Sequence, residues 1–210
     1  MIPARGGSKA IPRKNILPLL SKPLIVWSIE AAHSSVLIDE FVVSTEDNEI
    51  ADVAREAGAA VLRRPERLAT DTATTVSVLQ HALEEIPADI VVLLQPTSPI
   101  RVDNIVDRAI QLFLDTECDT LATGFMSHVF ERGSTENVPR QKLQGYFHDD
   151  GNVYVFKNVV VKAGRWTGDQ LLNMEVPSYY NLEIDTVTDF WANEGILRRV
   201  LDGKHRSNDA

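Results

Sequence analysis

Short apolar runs alternate along this chain with longer segments in which apolar residues recur every three or four positions, the respective patterns of buried strands and amphipathic helices. Residues 90–94, Ile-Val-Val-Leu-Leu, form an unbroken apolar run of the kind found in a strand buried on both faces. Residues 40–44 and 60–62 read as further strands. Residues 24–32, 48–57, 74–86 and 102–114 carry helical spacing, the second of these closed by Gly58. Strands and helices in alternation predict βαβ units, and hence an α/β, Rossmann-like fold with a mostly parallel sheet flanked by helices. From 124 to 151 the rhythm gives way to polar and turn-forming residues without sustained helical periodicity. Order returns with a strand at 152–156 and a helix at 187–201, and 207–210 reads as a frayed tail.

Composition narrows the class. A chain of 210 residues, 44% hydrophobic and 24% charged, can enclose a sizeable core, and a single domain over 1–210 is expected. The one cysteine, Cys118, excludes an intrachain disulfide, and no Cys/His cluster offers zinc-site spacing. No apolar run approaches the roughly 20 residues needed to cross a bilayer, and the start lacks the order of regions of a signal peptide. A cytoplasmic protein with no membrane partner is therefore expected. The net charge of −9 argues against a nucleic-acid partner, because the basic residues gather mainly in one loop rather than over a surface. That local reversal of sign suits a small polyanion held with a divalent cation, for which Mg2+ is the natural candidate.

The loop in question is Ile2-Pro3-Ala4-Arg5-Gly6-Gly7-Ser8-Lys9-Ala10-Ile11-Pro12-Arg13-Lys14-Asn15. Paired glycines give backbone freedom for N–H groups to converge on an anion, while Arg5, Lys9, Arg13 and Lys14 offset its charge. Neither the Walker pattern nor the Gly-x-Gly-x-x-Gly fingerprint is present, so this is a polyphosphate grip of a third kind, fitted to a nucleoside triphosphate. Gln95 opens a second loop at the carboxyl end of the 90–94 strand, the edge where open α/β sheets bind ligands. Pro96 and Pro99 stiffen that loop. Arg101 reads either as a partner for a carboxylate or phosphate or as a surface residue opening a helix. In Glu183-Ile184-Asp185, alternation along an extended segment puts both carboxylates on one face, where they can converge on a cation. Asp71 reads as the cap of the helix that follows it.

Together, the first loop, Leu93-Leu94-Gln95-Pro96-Thr97-Ser98-Pro99-Ile100-Arg101 and Glu183-Ile184-Asp185-Thr186 resemble the acylneuraminate cytidylyltransferase family nearly end to end. The resemblance implies a nucleotide-diphospho-sugar transferase type of fold with a small lid and dimerisation insertion at 124–150, and a homodimer. It implies that CTP and a nonulosonic, sialic-type sugar acid react to give the CMP-sugar and pyrophosphate. On this basis Ala4, Arg5, Gly6, Gly7, Ser8, Lys9, Lys14, Asn15 and Arg64 are expected to bind nucleotide. Thr75, Gln95, Arg140, Asp150 and Tyr154 are expected to contact the sugar acid. Glu183 and Asp185 are expected to hold Mg2+, and Arg5, Lys14 and Asp185 to carry the catalysis.

Three departures from the family pattern stand out. Asp150 replaces an asparagine, Glu183 replaces an aspartate, and the first strand is expected to be truncated, since only Met1 and Ile2 supply it. These features leave open a nucleotidyltransferase with another sugar or nucleotide, and a non-catalytic nucleotide-binding homologue.

Overall fold

The computed structural model describes residues 1–129, 139, 142–180 and 182–203. Strands β1 (Ile2–Pro3), β4 (Val42–Thr45) and β5 (Ala60–Arg63) pair in parallel in the order β1-β4-β5. A second set, β6 (Ile90–Leu93), β7 (Thr120–Ser127), β8 (Tyr146–Lys157) and β9 (Leu171–Glu175), runs in the order β6-β8-β7-β9. Two backbone hydrogen bonds, Met1 N to Val92 O at 2.5 Å and Leu94 N to Met1 O at 3.0 Å, join β1 to β6 in the parallel sense. The result is one sheet in the order β5-β4-β1-β6-β8-β7-β9, mostly parallel, with β8 antiparallel to both of its neighbours. A small hairpin, β2 (Pro18–Leu19) with β3 (Lys22–Pro23), precedes the first helix.

Helices cover both faces. On one lie α1 (Leu24–Ser34), α2 (Asn48–Glu56), α4 (Ile105–Leu114) and α6 (Val187–Leu201), packing Ile25, Ile29, Ile50, Ile110, Phe113 and Leu197 against Val43, Val153 and Val155. On the other, α3 (Thr75–Glu85) and α5 (Asn158–Lys162) bring Leu79, Leu83 and Val161 onto Val91, Leu93, Tyr154 and Phe156. Alternation along β8 divides its side chains between these layers, as the period of two requires. No described helix is long and apolar enough to cross a membrane.

The sheet extends into territory where the sequence promised no order. β7 runs on to Ser127, and β8 begins at Tyr146 rather than at 152. The first residues of β8 alternate exposed and half-buried positions, so they never form the apolar run that marks a buried strand. Helix α4 starts at Ile105 instead of 102, because Asp103 and Asn104 adopt left-handed backbone angles, φ 55° and 56°, which an α-helix cannot include. Between β7 and β8 the register jumps from Ala122 opposite Tyr154 to Gly124 opposite Asp149. Residues 150–153 therefore lie opposite Thr123 alone, and this bulge swings them toward the carboxyl end of β6.

Candidate active site

The first loop leaves β1 after Ala4, whose N–H donates to Ser44 O at 3.0 Å. Two acidic residues following β4 then fix its shape. Gly6 N donates to Glu46 Oε1 at 2.7 Å, and a Cβ at Gly6 would lie 2.4 Å from Asp47 Oδ2, so glycine is demanded by close approach. Neither Gly6 nor Gly7 has a positive φ; the left-handed residue of this loop is Arg13, at φ 57°. The backbone freedom expected of the glycine pair is thus unused. Arg13 clamps Asp47 through both terminal nitrogens, at 2.5 and 2.9 Å, and reaches Glu49 at 2.7 Å. Asp47 also caps α2 by accepting from Ile50 N, and the Arg13 guanidinium draws its pKa down to about 2. Arg13 is therefore an anchor of the loop.

Other residues of the loop turn inward. Asn15 is buried and donates to Arg5 O at 2.9 Å, pinning the loop from within. Lys14 Nζ donates to Ile184 O at 2.5 Å and stands 3.5 Å from Asp185 Oδ1, which joins the first motif to the last. Arg64, just after β5, is buried with Nη2 3.2 Å from Ser44 O and 3.3 Å from Glu46 Oε2. Burial lowers its pKa against the opposing pull of Glu46.

The Gln95 loop is tied down by Arg101. Its Nη2 donates to the carbonyls of Gln95 and Asn152, each at 2.8 Å, its Nε to Asn152 O at 3.0 Å, and its Nη1 to Ser28 Oγ at 2.9 Å. Burial brings the guanidinium down to about 9. Both readings offered for Arg101, ligand partner and surface helix opener, give way to an interior clamp between the loop and the β8 bulge. Ser98 Oγ fastens the same bulge by donating to Asp150 O at 2.9 Å, and Thr97 Oγ1 donates to Glu183 Oε1, also at 2.9 Å.

The acidic pair is held by its central residue. Ile184 is fully buried and its N–H donates to Thr97 O at 2.8 Å, leaving Glu183 and Asp185, both exposed, on either side. Burial raises the pKa of Glu183, the Thr97 hydrogen bond opposes that rise, and Asp185 and Asp149 add to it. Next, the capping box of α6 takes over. Asp189 Oδ2 accepts from the N–H groups of Asp185 and Thr186, and Thr186 Oγ1 accepts from Asp189 N. Two carboxylates beside one anchored isoleucine are a fitting donor set for a hard cation that completes its shell with water and phosphate oxygens. Among the described residues, no three or more His, Cys, Asp or Glu converge as a self-sufficient metal cage.

These loops enclose a cavity of about 310 Å³ that brings together Arg5, Gly7, Ser8, Lys14, Asn15, Arg64, Thr75 and Gln95. Tyr154 lines a separate cavity of about 270 Å³ with Asp149 and Trp166, and its hydroxyl donates to Asp149 Oδ2 at 2.9 Å. Asp150 turns into the protein. Its Oδ1 accepts from Thr123 Oγ1 at 2.7 Å and from Asn152 N at 3.0 Å, and burial raises its pKa. The expectation that its carboxylate would stand beside the sugar acid is met instead by a side chain locked within the β7–β8 bulge. Arg140 lies outside the described residues. Asp71 does not cap α3, since Thr74 does so by accepting from Ser77 N at 3.2 Å. Asp71 instead bridges Arg5 at 2.9 Å and Lys9 at 2.6 Å, both contacts depressing its pKa. Another cavity, about 740 Å³, is lined mainly by apolar residues such as Phe41, Val91 and Leu114, and none of the site residues lines it.

Sequence reasoning missed Glu46, Asp47, Thr97 and Ser98. Their signal was topological, because each follows a parallel strand at the carboxyl edge of the sheet.

The cytidylyltransferase family model matches residues 1–185. A pseudaminic acid cytidylyltransferase from Campylobacter jejuni subsp. jejuni is 38% identical over 162 residues, covering 74% of this chain and 66% of that protein. The N-acylneuraminate cytidylyltransferase A of Danio rerio is 30% identical over 225 residues, covering 98% of this chain and 52% of that protein. The chain thus spans about two thirds of the first of these relatives and about half of the second. A CMP:2-keto-3-deoxy-manno-octonic acid synthetase solved with CTP superposes with a TM-score of 0.75 at 17% identity, covering 95% of this chain and 97% of that one, a likeness of fold. With the family model matched over residues 1–185, and with relatives of this identity, the chain belongs to the cytidylyltransferase family, among the acylneuraminate-type enzymes.

Proposed function

We propose that this chain activates a nonulosonic acid with CTP, giving the CMP-sugar and pyrophosphate. One observation carries the reading: Lys14 lines the cavity shared by Arg5, Arg64 and Gln95, and the same ammonium reaches Ile184 O and Asp185. A triphosphate gripped by the first loop therefore lies next to the acidic pair. Arg5, Ser8, Lys9 and Lys14 hold phosphate oxygens and offset their charge, Asn15 keeps the loop in shape, and Arg64 faces the nucleoside. Gln95 and Thr75, which line that cavity, address the sugar acid, and Arg140, outside the described residues, is a further contact for it. The anomeric hydroxyl gives up its proton to solvent as its oxygen bonds to the α-phosphorus, the bond from that phosphorus to the bridging oxygen breaks, and pyrophosphate leaves with Arg5 and Lys14 balancing its charge.

Cytidylyl transfer of this kind generally uses a divalent metal, and Mg2+ held by Asp185 with Glu183 would neutralise charge at the transferring group. The active protein is a cytoplasmic homodimer in which the 124–150 segment acts as lid and dimer arm. Support for that arm comes from Met126, Val129 and Tyr146, which are exposed apolar residues in or beside the outer end of the β7–β8 ladder.

The test is pyrophosphate release with CTP, Mg2+ and a panel of sialic, legionaminic and pseudaminic acids. Turnover should require both substrates and fall at least about a hundredfold in Asp185→Ala. Silence across the panel, or undiminished turnover in the variant, would count against the reading.

A further inference from the structure

We infer that Asp71 is an internal counter-anion that holds the phosphate-binding cations of the first loop until a polyphosphate displaces it. The inference rests on the triphosphate role proposed for that loop. The Asp71 carboxylate lies 2.9 Å from Arg5 Nη1 and 2.6 Å from Lys9 Nζ, and the residue lines the same cavity as Gly7 and Ser8. It thus stands where a phosphate oxygen would stand. Helix capping does not account for it, because Thr74 performs that task. Stabilisation of the fold does not account for it either. The side chains of Arg5, Asp71 and Lys9 are 36%, 46% and 79% exposed, and ion pairs this open to solvent contribute little to folding.

Two consequences follow from the geometry. The nucleotide-free loop keeps its cations paired, which limits repulsion between Arg5 and Lys9 and holds both on the cavity wall. A triphosphate carries more charge than one carboxylate and wins the exchange, whereas pyrophosphate must hold its place against Asp71 once transfer is complete. Asp71 therefore scales apparent polyphosphate affinity down by the fraction of chains in which it leaves the cations free, and it favours release of the product.

The experiment is calorimetric titration of the full chain with metal-free sodium pyrophosphate, and separately with CTP and with cytidine. Wild type, Asp71→Asn and Asp71→Glu are compared. Asp71→Asn should bind pyrophosphate and CTP about three- to tenfold more tightly, with cytidine affinity and thermal unfolding unchanged. Asp71→Glu, which restores the charge, should return toward wild-type affinity. Pyrophosphate binding that is unchanged or weaker in Asp71→Asn, while wild type binds it, overturns the inference alone. A wild type that binds neither CTP nor pyrophosphate overturns it together with the reading of the loop as a triphosphate site.

Discussion

Gly6 and Asp47 approach so closely that a single methyl group decides the form of the first loop. In Gly6→Ala the new Cβ, 2.4 Å from Asp47 Oδ2, must drive that side chain away from both Arg13 and the first turn of α2. The loss of a cap and a half-buried ion pair should lower stability by about 2 kcal/mol, read by denaturant unfolding, and should weaken CTP binding in parallel. Asp47 also gives the molecule an acid-sensitive contact. Its folded-state pKa, about 2, lies below the ordinary 3.8, so the contribution is complete above the unfolded value and disappears as pH falls through the folded one. Between pH 5 and pH 2 the wild type should therefore lose roughly 1 to 2 kcal/mol more than Asp47→Asn does, once solvent screening is allowed for. An equal loss in both proteins would remove Asp47 from the account. None of this was legible in Gly6-Gly7 itself. The pair signals a loop, but the contact that makes Gly6 necessary comes from Asp47, beyond β4.

Periodicity reveals elements when one whole face is buried and conceals them when burial is divided. The strand β6 and helices α2, α3 and α6 were readable from their spacing for that reason, and so was the carboxyl-edge placement of Gln95. The outer half of β8, with Tyr146 and His148 exposed, and the marginal β9 were not. The bulge at residues 150–153 escaped notice because it arises from the pairing of two strands. It governs the site all the same, turning Asp150 inward and presenting Asn152 O to Arg101. Glu183-Ile184-Asp185 was legible as two carboxylates on one extended segment, yet the rigidity of that segment depends on the element after it. Thr186→Ala should break the capping box of α6, costing about 1 kcal/mol of stability. Since Asp189 also accepts from Asp185 N, the acidic pair should loosen as well. The variant should then need several times more Mg2+ for half-maximal pyrophosphate release. A normal Mg2+ requirement in a destabilised variant would separate the cap from the site.

At the scale of the whole molecule, charge and exposed apolar surface pull in opposite directions. A net charge of −9 sets copies of the chain against one another, while the basic loop and its cavity stay local. Beyond the bulge, β7 and β8 continue as a two-stranded ladder with Met126 opposite Phe147 and Ser127 opposite Tyr146. Met126 is 40% exposed, Tyr146 51% and Val129, just past the ladder, 66%. A two-stranded ribbon with exposed apolar side chains is marginal in water by itself and gains stability when another surface covers it. A second copy of the chain is the occupant that the proposed function calls for. Light scattering after size exclusion should therefore give about twice the 23.4 kDa of one chain at micromolar concentration. Tyr146→Glu and Met126→Glu together should shift that mass toward the monomer, because each new carboxylate would be desolvated at the contact. Raised salt should oppose the shift by screening the added charges, whereas an interface elsewhere on the molecule would leave the double variant dimeric at every salt concentration.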